Sequence, residues 1–575
     1  MSRVSLLLAT LACAAAFGQN QPEAKTQRLM NVARLWVTAE YFHPYLASRN
    51  IAWSAALADA YPAIRDAQKA AEYAAAVNRM LSALGDKQTF AAPDANTLPG
   101  SPEISGWQQF RFHHGLAPAD GSPSPFYSAL LVRAQRKVTT IPIDVGEEIT
   151  AHVRLSEPAA ATAARISGSE ELEKNEYPSE AWRYAGAVRL WGAVRYFFAY
   201  KDVMGEDWDH VFVDYLPKIL AAKNAREYHL EIAELVSHLS DSNAAAESAV
   251  LDRYWGEARL PLSVRLIEKK PVIVGLSEQA RNAGLKIGDI VSLLDGESIA
   301  DRIKQRANYL SASNRAGLSE LVARTLLNGP AGSTATLGVT TGAGDSKQVA
   351  LKRTGGTEAP SDGEPVRVLP NAIGYVDVSR LEPDGAGPAL DKLAGTKAIV
   401  FDLRGECQID PNAIAARLTG DPRQALLITG PIAEAPDLAQ PEIESATGSY
   451  FLIKRVAPAG GTPYSGRVVV LIDARTRGRA EQVALYIAAA TKVQIFGTPS
   501  AGSPSQTTSV RLPGGILVRF SGEDIRLTNG GAVQREGLQP TENVPQTLAG
   551  VRAGKDEVLE QALHALRDEA ASMVE

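Results

Sequence analysis

Two unbroken apolar runs constrain the fold of this chain more than any other feature. Ala398-Ile399-Val400-Phe401 runs into Asp402-Leu403-Arg404-Gly405, and Val468-Val469-Val470-Leu471-Ile472 runs into Asp473. Neither alternates apolar with polar residues, so both faces of each strand must be covered, as in a sheet with helices on either side. Gly374-Tyr375-Val376-Asp377-Val378 has the same character, and helical stretches separate the three. An α/β core over 365–570 is expected.

At ~150 residues per domain, the 575 residues suffice for roughly four folding units, each able to bury a core. With 45% hydrophobic and 22% charged residues, the chain is of the ordinary globular class, neither low-complexity nor disordered. The net charge of −6 is spread along the sequence and gives no case for a nucleic-acid or anionic-membrane partner.

Arg3, the apolar stretch 4–17 and the small residues Ala14-Ala15-Ala16 and Gly18 form a secretory signal pattern over 1–18, implying export to the periplasm or the exterior. The stretch is shorter than the ~20 residues of a membrane span, and no later segment reaches that length. Thr10-Leu11-Ala12 makes Cys13 a poor lipidation site. Loss of the leader removes Arg3 and no acid, taking the charge from −6 to −7, and leaves Cys407 without a disulfide partner in the chain.

The front half repeats. Arg34-Leu35-Trp36, Tyr41-Phe42, Trp53, Pro62 and Leu84-Gly85-Asp86 recur at an offset of 155 as Arg189-Leu190-Trp191, Tyr196-Phe197, Trp208, Pro217 and Leu239-Ser240-Asp241. Apolar residues at helical spacing make both copies helical modules, over 24–92 and 184–258, with the tryptophans in their cores. Between them, 93–160 reads as a small β unit and 161–183 as a linker. His113 and His114 are neighbours on a predicted strand and point to opposite faces, so they cannot share a metal ion. No metal or cofactor motif is present in the sequence.

Over 260–355, short strands surround a helix, and Gly284-Leu285-Lys286-Ile287-Gly288-Asp289 leads into a strand. This resembles the PDZ domain, which adds an extended polypeptide to its own sheet edge. The resemblance implies a polypeptide or protein C-terminus as partner, with Leu262, Val264, Gly284 and Leu285 as peptide-binding candidates.

The order of helical module, PDZ-like segment, "IGY" strand, "DLRG" strand end, Thr476-Arg477-Gly478-Arg479-Ala480-Glu481 and Gly497-Thr498-Pro499-Ser500-Ala501-Gly502 resembles the tail-specific, or C-terminal-processing, serine peptidase family. The duplicated front resembles its tricorn-core branch. The fold class implied is multidomain α+β: helical modules, a small β unit, a PDZ-like domain and an α/β peptidase core.

The resemblance also implies which residues should do chemistry, and here the sequence departs from it. The nucleophilic serine lies three residues before a glutamate at a helix start, a position that Gly478 occupies. The lysine base of the processing enzymes falls at Ser503, and the histidine base of the tricorn branch at Asn243, or at Gln88 in the first copy. Neither an amide nor a hydroxyl accepts a proton near neutral pH. The late supporting glutamate falls at Gln534, with Glu536 one register slip away. The oxyanion loop reads Arg404-Gly405-Glu406-Cys407, where Glu406 would place a negative charge beside the developing one.

Catalytic degeneracy follows, with peptide binding retained. An active peptidase would need a relocated nucleophile, Ser500, Ser503 or Ser505, or a thiol at Cys407, and no histidine stands in a motif position to activate one. A scaffold role through the helical modules is the third reading.

Overall fold

The computed structural model describes residues 21–93, 107–114, 127–133, 140–155, 157–158, 170–354, 363–433 and 447–572. The leader over 1–18 lies outside them. Helices α1 (Gln21–Phe42), α2 (Trp53–Asp66) and α3 (Ala70–Ser82) form the front of the molecule. A buried indole N–H needs an acceptor. Trp36 and Trp53 meet this need mutually: their rings stack at 6.2 Å, and each N–H donates to the other's main-chain carbonyl, at 3.0 and 3.1 Å.

Strands were expected over 108–155, and they form but do not make one sheet. Thr140–Gly146 and Ile149–Arg154 pair with each other, and Phe90–Ala92 pairs with the latter. Strands β1 (Trp107–His114) and β2 (Tyr127–Arg133) pair instead with each other and with a core strand described below. His113 and His114 occupy successive positions on β1, opposite Ser128 and Tyr127. The end of the expected linker is anchored: the Glu170 carboxylate accepts from the Ser54 N–H at 2.6 Å and the Ser54 hydroxyl at 2.7 Å, and pairs with Arg189 at 3.3 Å.

Helices α4 (Glu180–Phe197), α5 (Trp208–Ala221) and α6 (Ala225–Ser237) follow, started by Ser179, Asp207 and Asn224, whose side chains accept main-chain N–H bonds. The Trp208 N–H donates to the Trp191 carbonyl at 3.0 Å, the counterpart of Trp53 on Trp36, and α2 and α5 each hold an internal proline, Pro62 and Pro217. Helix α4 is buried along most of its length. A Cβ on Gly192 would lie 2.5 Å from Val37, so only glycine lets α4 approach α1 this closely.

Strand β3 (Leu262–Ile267) is the edge of a second sheet, paired with Lys270–Leu276; beyond it lie Ile290–Leu294, Thr334–Thr340 and Ser346–Lys352. Helix α7 (Arg315–Thr325) packs on β3.

The core sheet runs β4 (Ile373–Asp377), β5 (Ala398–Asp402), β8 (Arg467–Ile472), β9 (Val493–Gly497) and Glu542–Asn543, all parallel, with Val366–Leu369 antiparallel at one edge. Between β5 and β8 in sequence, β6 (Arg423–Ala433) and β7 (Thr447–Val456) form a hairpin whose β6 pairs with β1. Alternate residues of the core strands face opposite ways. Ile399, Phe401, Val470 and Ile472 meet α8 (Arg479–Ala490), while Val400, Val469 and Leu471 meet the helix Glu557–Ser572. Both faces are therefore dry, as the unbroken apolar runs require. Asp377, Asp402 and Leu471 stand in register, so the loops after β5 and β8 emerge side by side at the carboxyl edge, where open α/β sheets place their sites. No helix among the described residues is long and apolar enough to cross a membrane.

Candidate functional site

The loop after β8 turns sharply into α8 at Gly478, which has φ of +56° and ψ of −118°. Glycine enters this region freely, and a strand-to-helix turn strained in this way is how other hydrolase folds present a nucleophile. A Cβ at Gly478 would meet no atom within 4 Å. The turn is open and carries no side chain.

Behind it, Glu481 is fully buried. Its carboxylate accepts from the N–H groups of Gly478 (3.1 Å), Gly502 (2.8 Å) and Ser503 (2.9 Å), and from the Ser500 hydroxyl (2.5 Å). Burial pushes this carboxyl up to about 7, against donors that each favour the anion. Glu481 is thus half of a capping box whose other half would need a side chain at Gly478.

The Gly478 N–H also donates to the Ser503 carbonyl at 3.1 Å. The Asn243 side-chain amide donates to that same oxygen at 3.1 Å, to the Ser505 carbonyl at 3.2 Å and to the Ser521 hydroxyl at 3.1 Å. Next to it, Asp241 is completely buried and accepts from the Ser521 N–H (2.8 Å), the Ser521 hydroxyl (3.0 Å), the Asn243 N–H (3.1 Å) and the Gln534 amide (3.2 Å). Burial raises the Asp241 carboxyl despite these donors. Gln534 also donates to Ser313 at 3.1 Å, and its own side-chain oxygen is buried without a partner. Gly478, Asn243, Ser503 and Gln534, some 290 residues apart at the extremes, therefore meet in one hydrogen-bonded cluster. Gln88 does not join it; it lies in the first module, where its N–H donates to Asp86 at 3.1 Å, as Asn243 does to Asp241.

Several expectations are corrected. Glu406 does not place an uncompensated charge at the site, because Arg324 of α7 pairs with it at 2.7 Å and Arg477 approaches at 3.7 Å. Glu536 is exposed, so Gln534 is the residue that faces Asp241. Leu262 and Leu285 are 9% and 3% exposed and serve the core of their sheet with Ile273 and Leu294, since apolar side chains on its inner face have nowhere else to pack. Val264, on edge strand β3, is half-buried and packs against the same core, and Gly284, at φ of +84°, is exposed.

The relocated nucleophiles fare poorly as geometry. Ser500 is fully buried and its hydroxyl is spent on Glu481, while the Ser505 hydroxyl lies 2.6 Å from the Tyr200 hydroxyl. The Ser503 hydroxyl is buried and bonded to nothing. Burial pushes the Cys407 thiol up to about 11, and its side chain packs in the apolar core.

Ion pairs hold the surrounding loops. Asp473, at the end of β8, pairs with Arg475 at 2.8 Å and with Arg265 of β3 at 2.7 Å, and these guanidiniums hold its carboxyl well below the usual range. Arg404 joins Asp402 (2.7 Å) to Asp556 (2.6 Å). Sequence reading missed Ser313, Ser521, Arg265 and Arg324. The partners that tie them to the site lie 71 to 280 residues away, and no local pattern announces those contacts.

Peptidase family S41 matches residues 419–544, a stretch that holds Gly478, Ser503 and Gln534. No curated protein matches the chain. Among solved structures, the chain resembles mature CPAF complexed with lactacystin at a TM-score of 0.52 and 14% identity, over 69% of this chain and 99% of that one. The photosystem II D1 C-terminal processing protease follows at 0.40 and 20% identity, over 66% and 99%. The tricorn protease gives 0.37 and 12%, over 78% and 44%. At such identities the CPAF likeness speaks for the fold alone. Among the described residues no His, Cys, Asp or Glu cluster fits a metal ion.

Proposed function

We propose that this chain is an exported polypeptide-binding protein of peptidase family S41 that has lost the family's cleavage chemistry. One observation carries the reading. Gly478 holds the strained turn at the start of α8 with no oxygen to offer, while the amide at Asn243 is committed as a donor to three acceptors. A nucleophile and a base must meet within hydrogen-bond reach, and here neither atom exists. The leader pattern over 1–18 motivates export. The edge strand β3, with Val264 and the Gly284 turn, motivates an extended or C-terminal peptide as ligand, bound by strand addition in the PDZ manner.

The purified mature chain is to be treated with a fluorophosphonate and offered unfolded polypeptide. No labelled serine and no cleavage are expected; labelling of any serine would overturn the reading. The full-length chain should bind extended peptides with a free C-terminus, and Val264→Lys should weaken that binding at least tenfold. The alternative, an active peptidase with a relocated serine, draws on the short Ser500–Glu481 contact, but Ser500 is closed to substrate.

A further inference from the structure

A cleft of about 520 Å³ opens between the end of α6, the segment 307–315 and Arg535. Its size falls within the range of small-ligand sites, about 300–1,000 Å³. The cleft shares one residue with the cluster around Asn243: Ser313 lines it, while the Ser313 hydroxyl accepts from the Ser242 N–H at 2.9 Å and from Gln534 at 3.1 Å.

Opposite charges line the cleft without meeting. Glu234 stands on the α6 side, where its carboxylate is hydrogen-bonded to the Tyr215 side chain, and Arg315 on the other; among the described residues neither makes an ion pair. Their neighbours are already committed. His238 is held between Glu206 at 2.8 Å and the Tyr215 hydroxyl at 3.0 Å, and the Arg535 guanidinium donates to the Val203 carbonyl. Arg315 is also the first residue of α7, so the positive end of that helix adds to its charge on the same side. A carboxylate and a guanidinium that face one cavity and do not neutralise each other are complementary to a ligand with one ammonium and one carboxylate.

We infer that this cleft is a second binding site, for a short peptide with both ends free, its ammonium toward Glu234 and its carboxylate toward Arg315. The site is distinct from the β3 edge and does not depend on whether cleavage chemistry survives at Gly478.

Calorimetric titration of the full mature chain with trialanine, and with trialanine acetylated and amidated at its ends, tests this. The free tripeptide should bind and the capped one should bind at least tenfold more weakly. Arg315→Gln and Glu234→Gln should each weaken the free tripeptide by a similar factor, and Arg315→Lys should restore most of the affinity. Val264→Lys should leave it unchanged, which separates this site from the β3 edge. Undetectable binding at millimolar trialanine, equal binding of the capped peptide, or wild-type affinity in both charge variants overturns the assignment. Arg315 is exposed, and melting curves of each variant establish that any loss is not unfolding.

Discussion

Gly478 and Asn243 donate to the same oxygen, the carbonyl of Ser503. The two positions where the S41 resemblance puts nucleophile and base are thus close enough to share an acceptor. On the proposed reading, the two positions still lie together but carry a glycine and an amide in place of a nucleophile and a base. This separation of scaffold from chemistry sets the first two predictions.

Restoring only the hydroxyl should not restore turnover. In Gly478→Ser the new side chain enters open space, at a cost of about 1–3 kcal/mol for an L residue held in this sparsely populated backbone region. Without a base its hydroxyl stays neutral, and peptide hydrolysis should remain at the wild-type level. Measurable turnover by the single variant would mean that another group accepts the proton.

Asn243 should matter for stability. Asn243→Ala leaves the Ser503 and Ser505 carbonyls one donor short and should lower unfolding free energy by about 1–3 kcal/mol in urea titration. Asn243→Asp should cost more at pH 7, since it sets a carboxylate against two carbonyls and beside Asp241. Repulsion raises the folded-state affinity of such a carboxylate for a proton, so part of this loss should return on acidification. Equal stability of the two variants at pH 7 would count against this account.

The pair of guanidiniums on Asp473 predicts an asymmetry. Asp473→Asn removes the carboxylate that Arg265 and Arg475 share and sets the two guanidiniums against each other, at a cost of about 3–5 kcal/mol. Arg265→Ala leaves Asp473 its second partner and should cost less. Denaturant midpoints of the two variants decide the order.

His152 predicts a pH dependence. It is completely buried on the strand Ile149–Arg154, its ring nitrogens have no partner, and burial lowers its proton affinity below the ordinary value of 6.5. The unfolded chain therefore binds the proton more tightly, so this contribution to stability is intact above about pH 6.5 and is lost as pH falls below it, at up to about 1.4 kcal/mol per pH unit. His152→Leu should flatten the decline between pH 7.5 and 5.5 in unfolding titrations. An unchanged slope would assign the decline to other groups.

The core sheet was legible because its strands are apolar on both faces, a pattern set by burial alone. Trp36, Trp53, Trp191 and Trp208 were legible as core residues for a similar reason: the packing of such large side chains tolerates little else. The motif positions Gly478 and Asn243 were legible because short turns fix their spacing to Glu481 and Asp241. What stayed hidden was contact across distance. That β1 and β2 extend a sheet with β6, or that Arg324 would neutralise Glu406, depends on how units dock, and single-chain periodicity carries no information about docking. Leu262 and Leu285 were misjudged because a strand pattern marks which residues are apolar but not which face is sealed.

The hairpin formed by Thr507–Leu512 and Ile516–Ser521 belongs to the C-terminal core by sequence, yet it packs on α4, and Val510, Leu512, Phe520 and their neighbours share one buried core with the helices of the front half. Its far strand also takes up Ala245–Glu247 from the second module. The chain cannot be cut into a front piece and a back piece without baring an oily surface on each. Truncated forms beginning after the second module should be insoluble, and work on the cleavage-type half has to carry the front half along with it.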